Sequence, residues 1–149
     1  MDELDISILN LLQKNARITI PDISGRVNLP VSAVSERLKR LESSGIIVQY
    51  TAILNPELLQ KRLTAIMFVR IERPRYNEKF NELVLGEDEI LECNYLAGDF
   101  DYALKIVTES TVTLEKLLYR VKSLQGVQKT KTVVVLSNIK NSFSVKPGA

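Results

Sequence analysis

The sequence predicts an α+β fold in two parts, on three observations. Up to about residue 54 the apolar residues repeat at helical spacing in three short segments. The periodicity changes once, near Asn55-Pro56. From residue 64 onward, strands and two amphipathic helices follow in the order β-α-β-β-α-β. Residues 1–54 therefore read as a helical domain, 55–63 as a linker and 64–149 as a second domain with the split βαβ, or ferredoxin-like, arrangement.

The first helix spans about Asp2 to Asn15, with Leu4, Ile8, Leu11 and Leu12 on one face. Asp2, Glu3 and Asp5 occupy its first turn, where carboxylates complement the helix dipole. A short second helix has Pro21 in its first turn, buries Ile23 and Val27, and stops at Asn28. The third runs from about Val31 to Ser44 and ends at Gly45. Ile46 to Ile53 is rich in β-branched residues and reads as a strand or wing. Two short helices, a tight turn and a longer helix match helix-turn-helix geometry.

On a helical wheel Val34, Leu38 and Leu41 form the buried stripe of the third helix. Ser32, Glu36, Lys39 and Ser43 fall opposite, with Arg40 beside them, while Arg37 lies nearer the buried edge, where it can brace the fold as well as touch DNA. From Lys14 to Arg40 there are six basic residues against two acidic, in a chain of net charge only +2. Positive charge is thus concentrated where a phosphate backbone would lie. A basic exposed helix is most often just a solvated face; the helix lengths, the turn and the wing tip the reading toward double-stranded DNA.

In the second domain Thr64 to Arg73 alternates, with Ala65, Met67, Val69 and Ile71 on one side and Ile66, Phe68, Arg70 and Glu72 on the other. A helix over Tyr76–Leu85 follows, then strands over 90–97 and 102–108, a helix over 111–124, and a long last strand, Val127 to Ile139. Right-handed crossovers put both helices on one sheet face. Ile66, Phe68 and Val133-Val134-Val135-Leu136 leave the other face apolar, which predicts at least a sheet-to-sheet homodimer.

The loop Gly98-Asp99-Phe100-Asp101-Tyr102 can be read in two ways. Its carboxylates and amides suit the ammonium and carboxylate of a free amino acid, or its aspartates simply satisfy turn amides. Between Glu78 and Asp101 there are eight acidic residues against one lysine, so DNA contact belongs to the first domain.

Composition narrows the chemistry. The chain has no histidine and one cysteine, Cys93, which removes histidine-based nucleophilic sites and the usual zinc sets. No enzyme activity, metal or cofactor is expected. The lone cysteine excludes an intrachain disulfide, the N-terminus is acidic rather than signal-like, and no apolar run exceeds five residues, against the ~20 of a membrane helix, so a cytoplasmic protein without membrane contact is expected.

Taken in order, Leu4-Asp5-Ile6-Ser7-Ile8-Leu9, Arg17-Ile18, Glu36-Arg37-Leu38-Lys39-Arg40-Leu41-Glu42, Gly45-Ile46-Ile47, Tyr50 to Pro56, Gly98 to Tyr102, Gly126-Val127 and Thr130-Lys131-Thr132 resemble the leucine-responsive/asparagine-regulator (Lrp/AsnC) family of transcription factors over nearly the whole chain. The resemblance implies a winged helix-turn-helix followed by an effector-binding and dimerisation domain, with dimers assembling into octamers or similar rings and an amino acid-like effector. It carries DNA contact to Ser32, Ser35, Lys39 and Arg40, with Arg37 beside them, and effector contact to Gly98, Asp99, Phe100, Asp101, Tyr102 and Thr132. One departure stands out: Pro30 replaces the serine that often caps the recognition helix, so either Ser32 caps a later start or the end is uncapped. A ligand-independent architectural DNA-binding protein is the alternative. A haem-precursor decarboxylase, a relative of this fold that depends on histidines, is disfavoured by their absence.

Overall fold

The computed structural model describes residues 1–148, which pack as two compact units: residues 1–53 together with 140–148, and residues 54–139. The sequence reading carried the second domain on to residue 149; in the structure the segment after Ile139 packs with the first unit instead.

In the first unit α1 is Glu3–Lys14, α2 Ile20–Val27 and α3 Val31–Ser43. A reciprocal capping box starts α1: the Asp5 amide donates to the Asp2 carboxylate at 2.9 Å and the Asp2 amide to the Asp5 carboxylate at 3.1 Å. Thr19 caps α2 through the Asp22 amide, and Asn28 ends it in the left-handed conformation. Pro30 has no side-chain acceptor, and α3 starts at Val31 with its first turn uncapped, which decides between the two alternatives left by the sequence. Ile8, Leu9, Ile23, Val34, Leu38 and Leu41 form the core. On α1 the buried face is Asp5, Ile8 and Leu9, whereas Leu4, Leu11 and Leu12 are half-buried.

Among the described residues, the expected strand over 46–53 does not form. Ile46–Ile53 makes no ladder, because a β-branched run becomes a strand only where a neighbouring edge pairs with it. Ile47 packs on the core, its amide donating to the Leu41 carbonyl, and the Tyr50 hydroxyl donates to Glu42 at 3.0 Å.

The second unit contains β1 (Leu63–Ile71), a 3₁₀ turn at Pro74–Tyr76, α4 (Asn77–Leu85), β2 (Ile90–Tyr95), β3 (Tyr102–Thr108), α5 (Thr111–Lys122) and β4 (Val127–Val135). The sheet is antiparallel in the order β2-β3-β1-β4. The last strand stops at Val135, four residues short of expectation, because its partner there is Thr64 and β1 has run out of chain. Ala65, Met67, Val69 and Ile71 face the helices and pack with Phe80, Val84, Leu114, Leu117 and Val121.

The opposite face is less apolar than expected. Register puts Ile66 beside Val133 and Lys105, Phe68 beside Lys131 and Ala103, and Arg70 beside Lys129. One end of the face is aliphatic and the other cationic. Val134, read as part of this surface, pairs with Ala65 and so belongs to the helix side.

Gly126 turns the chain from α5 into β4 with φ +97°, and a Cβ there would stand 2.3 Å from Cγ of Tyr76. Gly126→Ala combines a disfavoured backbone with a clash near the tyrosine's own backbone. It should cost about 3 kcal/mol, read as a lower melting temperature of the second unit.

Candidate DNA interface and effector site

Helix α3 buries Val34, Leu38 and Leu41, so Ser32, Glu36, Lys39 and Ser43 are left exposed and Ser35 half-buried at the flank. The Arg40 side chain is 60% exposed, with one nitrogen 3.3 Å from Asp5. Lys39 takes no ion pair among the described residues.

Arg37 is placed differently from the other cations. Its guanidinium lies 2.8 Å from Asp2 and 2.8 Å from Asp5, and the Asp5 side chain is only 3% exposed. Arg37 is therefore a strut between α1 and α3, and its charge is spent inside the unit. Hydrogen bonds from the Asp5 amide and from Arg37 pull the Asp2 carboxyl down from an ordinary 3.8 to about 2. Burial pushes the Asp5 carboxyl up, but Arg37 and the Asp2 amide reverse it, leaving it below the usual range. Sequence reasoning had given Asp5 a role in the helix dipole; its burial was invisible without knowing that Arg37 would reach it.

A second tie holds the segment after α3. Burial, with the Glu42 carboxylate beside it, raises the Tyr50 hydroxyl to about 12. The pair links the last turn of α3 to irregular chain eight residues on, so no periodicity pointed to it.

In the second unit, Gly98 to Asp101 joins β2 to β3. The Leu96 amide donates to the Asp101 carbonyl at 2.7 Å and the Asp101 amide to the Val69 carbonyl at 2.9 Å. The Asp101 carboxylate accepts the Ile71 amide at 2.7 Å, at the point where the β1–β4 register slips. Asp101 thus performs the turn-satisfying role. Asp99 is exposed; its carbonyl accepts Arg70 Nε at 2.7 Å, and its carboxylate takes no ion pair among the described residues. The Phe100 ring lies 5.7 Å from Phe68, with Arg70 at 5.8 Å and Lys129 at 5.9 Å.

Two of the residues assigned to the effector site, Tyr102 at the start of β3 and Thr132 on β4, turn their side chains to the helix face. Tyr102 is buried on the helix side, 4.4 Å from Phe80 and 5.1 Å from Tyr95, and burial raises its hydroxyl. Thr132 pairs with Met67, hence faces the helices rather than Phe100, and its Oγ1 is buried with no hydrogen-bond partner among the described residues. Arg70 and Lys129 were not anticipated at the loop. Alternation put Arg70 on the open face, but only the β4 register and the loop's fold bring both cations to Phe100. Cys93 is a half-buried thiol opposite Leu104, raised by burial.

A helix-turn-helix unit with an exposed cationic helix, joined to a ferredoxin-like unit, has the build of a transcription regulator with a separate ligand-binding domain. Residues 1–48 match the winged helix-turn-helix DNA-binding family and residues 64–145 the Lrp/AsnC ligand binding domain. The chain belongs to the Lrp/AsnC family of DNA-binding transcriptional regulators. It is 41% identical over 145 residues to the leucine-responsive regulatory protein of Haemophilus influenzae, covering 95% of this chain and 87% of that one. To the protein of the same name from Escherichia coli K12 it is 40% identical, covering 95% and 88%. Among solved structures, a transcriptional regulator of Neisseria meningitidis in complex with L-Met superposes with a TM-score of 0.93 at 35% identity, covering 97% of this chain and 96% of that one. The LrpA protein of Mycobacterium tuberculosis does so at 0.82 and 27%, covering 99% and 100%. These relatives are regulators, not enzymes, and among the described residues no helix is long and apolar enough to cross a membrane.

The carboxylate network sets an acid limit. Folded-state values below the unfolded ones mean that the brace contributes fully above about pH 5, and that this contribution is lost progressively as pH falls through 3.8 toward about 2. Arg37→Ala should lower the neutral-pH melting temperature by roughly 5–10 °C. It should also flatten the fall in melting temperature between about pH 5 and pH 2, measured by circular dichroism.

Proposed function

We propose that α3 reads the major groove with Ser32, Ser35, Lys39 and Arg40, and that the Gly98–Asp101 loop binds a free amino acid that alters the assembly of copies. The observation that carries this reading is the partition of charge. In the first unit Arg37 is neutralised by two carboxylates, while Lys39 and most of Arg40 remain exposed on the face opposite the core. Such cations supply phosphate affinity and reach guanine edges.

Around Phe100, both charges of a zwitterion find a complement: the Asp99 carboxylate for an ammonium, Arg70 and Lys129 for a carboxylate. Phe68 and Phe100 offer an apolar wall for a side chain. The Neisseria neighbour holds L-Met, which supports an amino acid here. Tyr102 acts by fixing the strand beneath the loop, and Thr132 is not needed for this arrangement. Ile66 and Val133 on the open sheet face favour at least a homodimer, with octamers or similar assemblies built from it.

Replacing Lys39 and Arg40 together by alanine should weaken DNA binding and reduce the slope of log affinity against log salt by about 2 per bound chain. Fluorescence anisotropy at several salt concentrations measures both, and an unchanged slope would overturn the assignment of α3. For the effector, L-methionine and L-leucine at millimolar concentration should raise the melting temperature and shift the sedimentation profile of the wild type. Asp99→Asn should abolish the shift. A wild type blind to all twenty amino acids would favour the architectural reading, and a monomer at micromolar concentration would rule out the dimer.

A further inference from the structure

Strand β4 ends at Val135 opposite Thr64, the second residue of β1. The incoming linker and the outgoing chain therefore leave the sheet side by side. Past Ile139 the chain packs with the first unit. There the Gln13 side-chain amide donates to the Val145 carbonyl at 2.6 Å. A Cβ built on Gly148, whose φ is +88°, would lie 3.3 Å from Cδ1 of Ile6, and Pro147 is half-buried. Ile6 and Gln13 are seven residues apart, two turns of α1, so one stripe of that helix receives the tail. This stripe is separate from the core face of Ile8 and Leu9 and from the recognition face of α3. Phe143 and Val145 stay largely exposed, so the attachment is narrow and of the kind that opens locally.

We propose that residues 140–148 form a detachable strap, a second tether that restrains the helix-turn-helix unit through α1 independently of the direct chain connection at residues 53–54. One flexible connection lets a DNA-binding unit sample many orientations; a second, starting beside the first and ending on α1, removes most of them. In an assembly that offers two recognition helices to two half-sites, this restraint raises the effective concentration of the second helix at its site. The strap then strengthens two-site binding without touching DNA. This last consequence rests on the DNA-binding reading above; the restraint itself does not.

The test compares the full chain with a chain ending at Ile139, which leaves the whole sheet intact, and with Gln13→Ala. A glutamate-specific protease reports the restraint by cutting after Glu57, in the exposed turn that follows the connection between the units; residues 140–149 contain no acidic residue and cannot be cut themselves. Cleavage should be several-fold faster in the truncated chain and intermediate in Gln13→Ala. The second arm uses a duplex selected from a random pool by the full-length protein, and the same duplex with one half scrambled. Truncation should weaken binding to the intact duplex about tenfold and leave the half-scrambled duplex unchanged. Equal cleavage rates would overturn the tether. Equal losses on both duplexes with a lower melting temperature would also overturn it, by making the tail part of the unit's own fold. If the full chain selects no duplex, the DNA reading fails and the cleavage arm alone decides the strap.

Discussion

Strand β1 is the constraint on which the second unit depends. It pairs on both edges, with β3 and β4, so its alternation sets the two faces of the whole sheet. Ala65, Met67, Val69 and Ile71 commit one face to the helices, and a register slip of one residue would exchange them for Ile66, Phe68 and Arg70. The end of β1 also holds the loop. Val69 accepts the Asp101 amide and Ile71 donates to its carboxylate, so the turn that follows β2 is fixed from the strand two places away. A β-hairpin loop seldom has such support; here it sets the backbone of Asp99 and Phe100 before any ligand arrives.

The first unit packs its three helices on six buried apolar side chains and adds a buried carboxylate that ties α1 to α3. Asp5 sits among apolar side chains at a desolvation cost that only Arg37, the Asp2 amide and a longer contact from Arg40 offset. Removing Arg37 would leave the Asp5 charge buried and largely uncompensated, so the pair couples α1 to α3 strongly. The same pairing sorts the cations of α3 by role. Arg37 is consumed by structure, whereas Lys39 is exposed and takes no ion pair among the described residues.

Much of this was legible in the sequence because it depends on local period. The stripe of Val34, Leu38 and Leu41, the alternation of β1 and the βαββαβ order are consequences of spacing, and they placed every helix and strand of the second unit to within a few residues. What stayed hidden depends on pairing between distant segments. Ile46–Ile53 has strand-forming residues and no strand, since nothing in its own composition says whether an edge will pair with it. The last strand was drawn too long because its end is set by where β1 begins. The cations beside Phe100 come from β1 and β4, and only register brings them to the loop. Thr132 is the converse case: the resemblance assigned it to the effector site, yet strand parity turns its side chain to the other face.

The pinned loop also limits how a ligand can act. Asp101 is anchored through its amide, its carbonyl and its carboxylate, so a bound amino acid has little backbone freedom left to reorganise around itself. A ligand shifts an equilibrium only by its difference in affinity for the two states. If the loop has one conformation within a chain, that difference must arise where the ligand, or the Asp99 and Phe100 side chains it orders, meets another copy. In the effector reading proposed above, control would then run through assembly rather than through a refolded loop. With no imidazole in the chain, no side chain has its ordinary titration near neutral pH, so the proposed response would not run through a histidine switch.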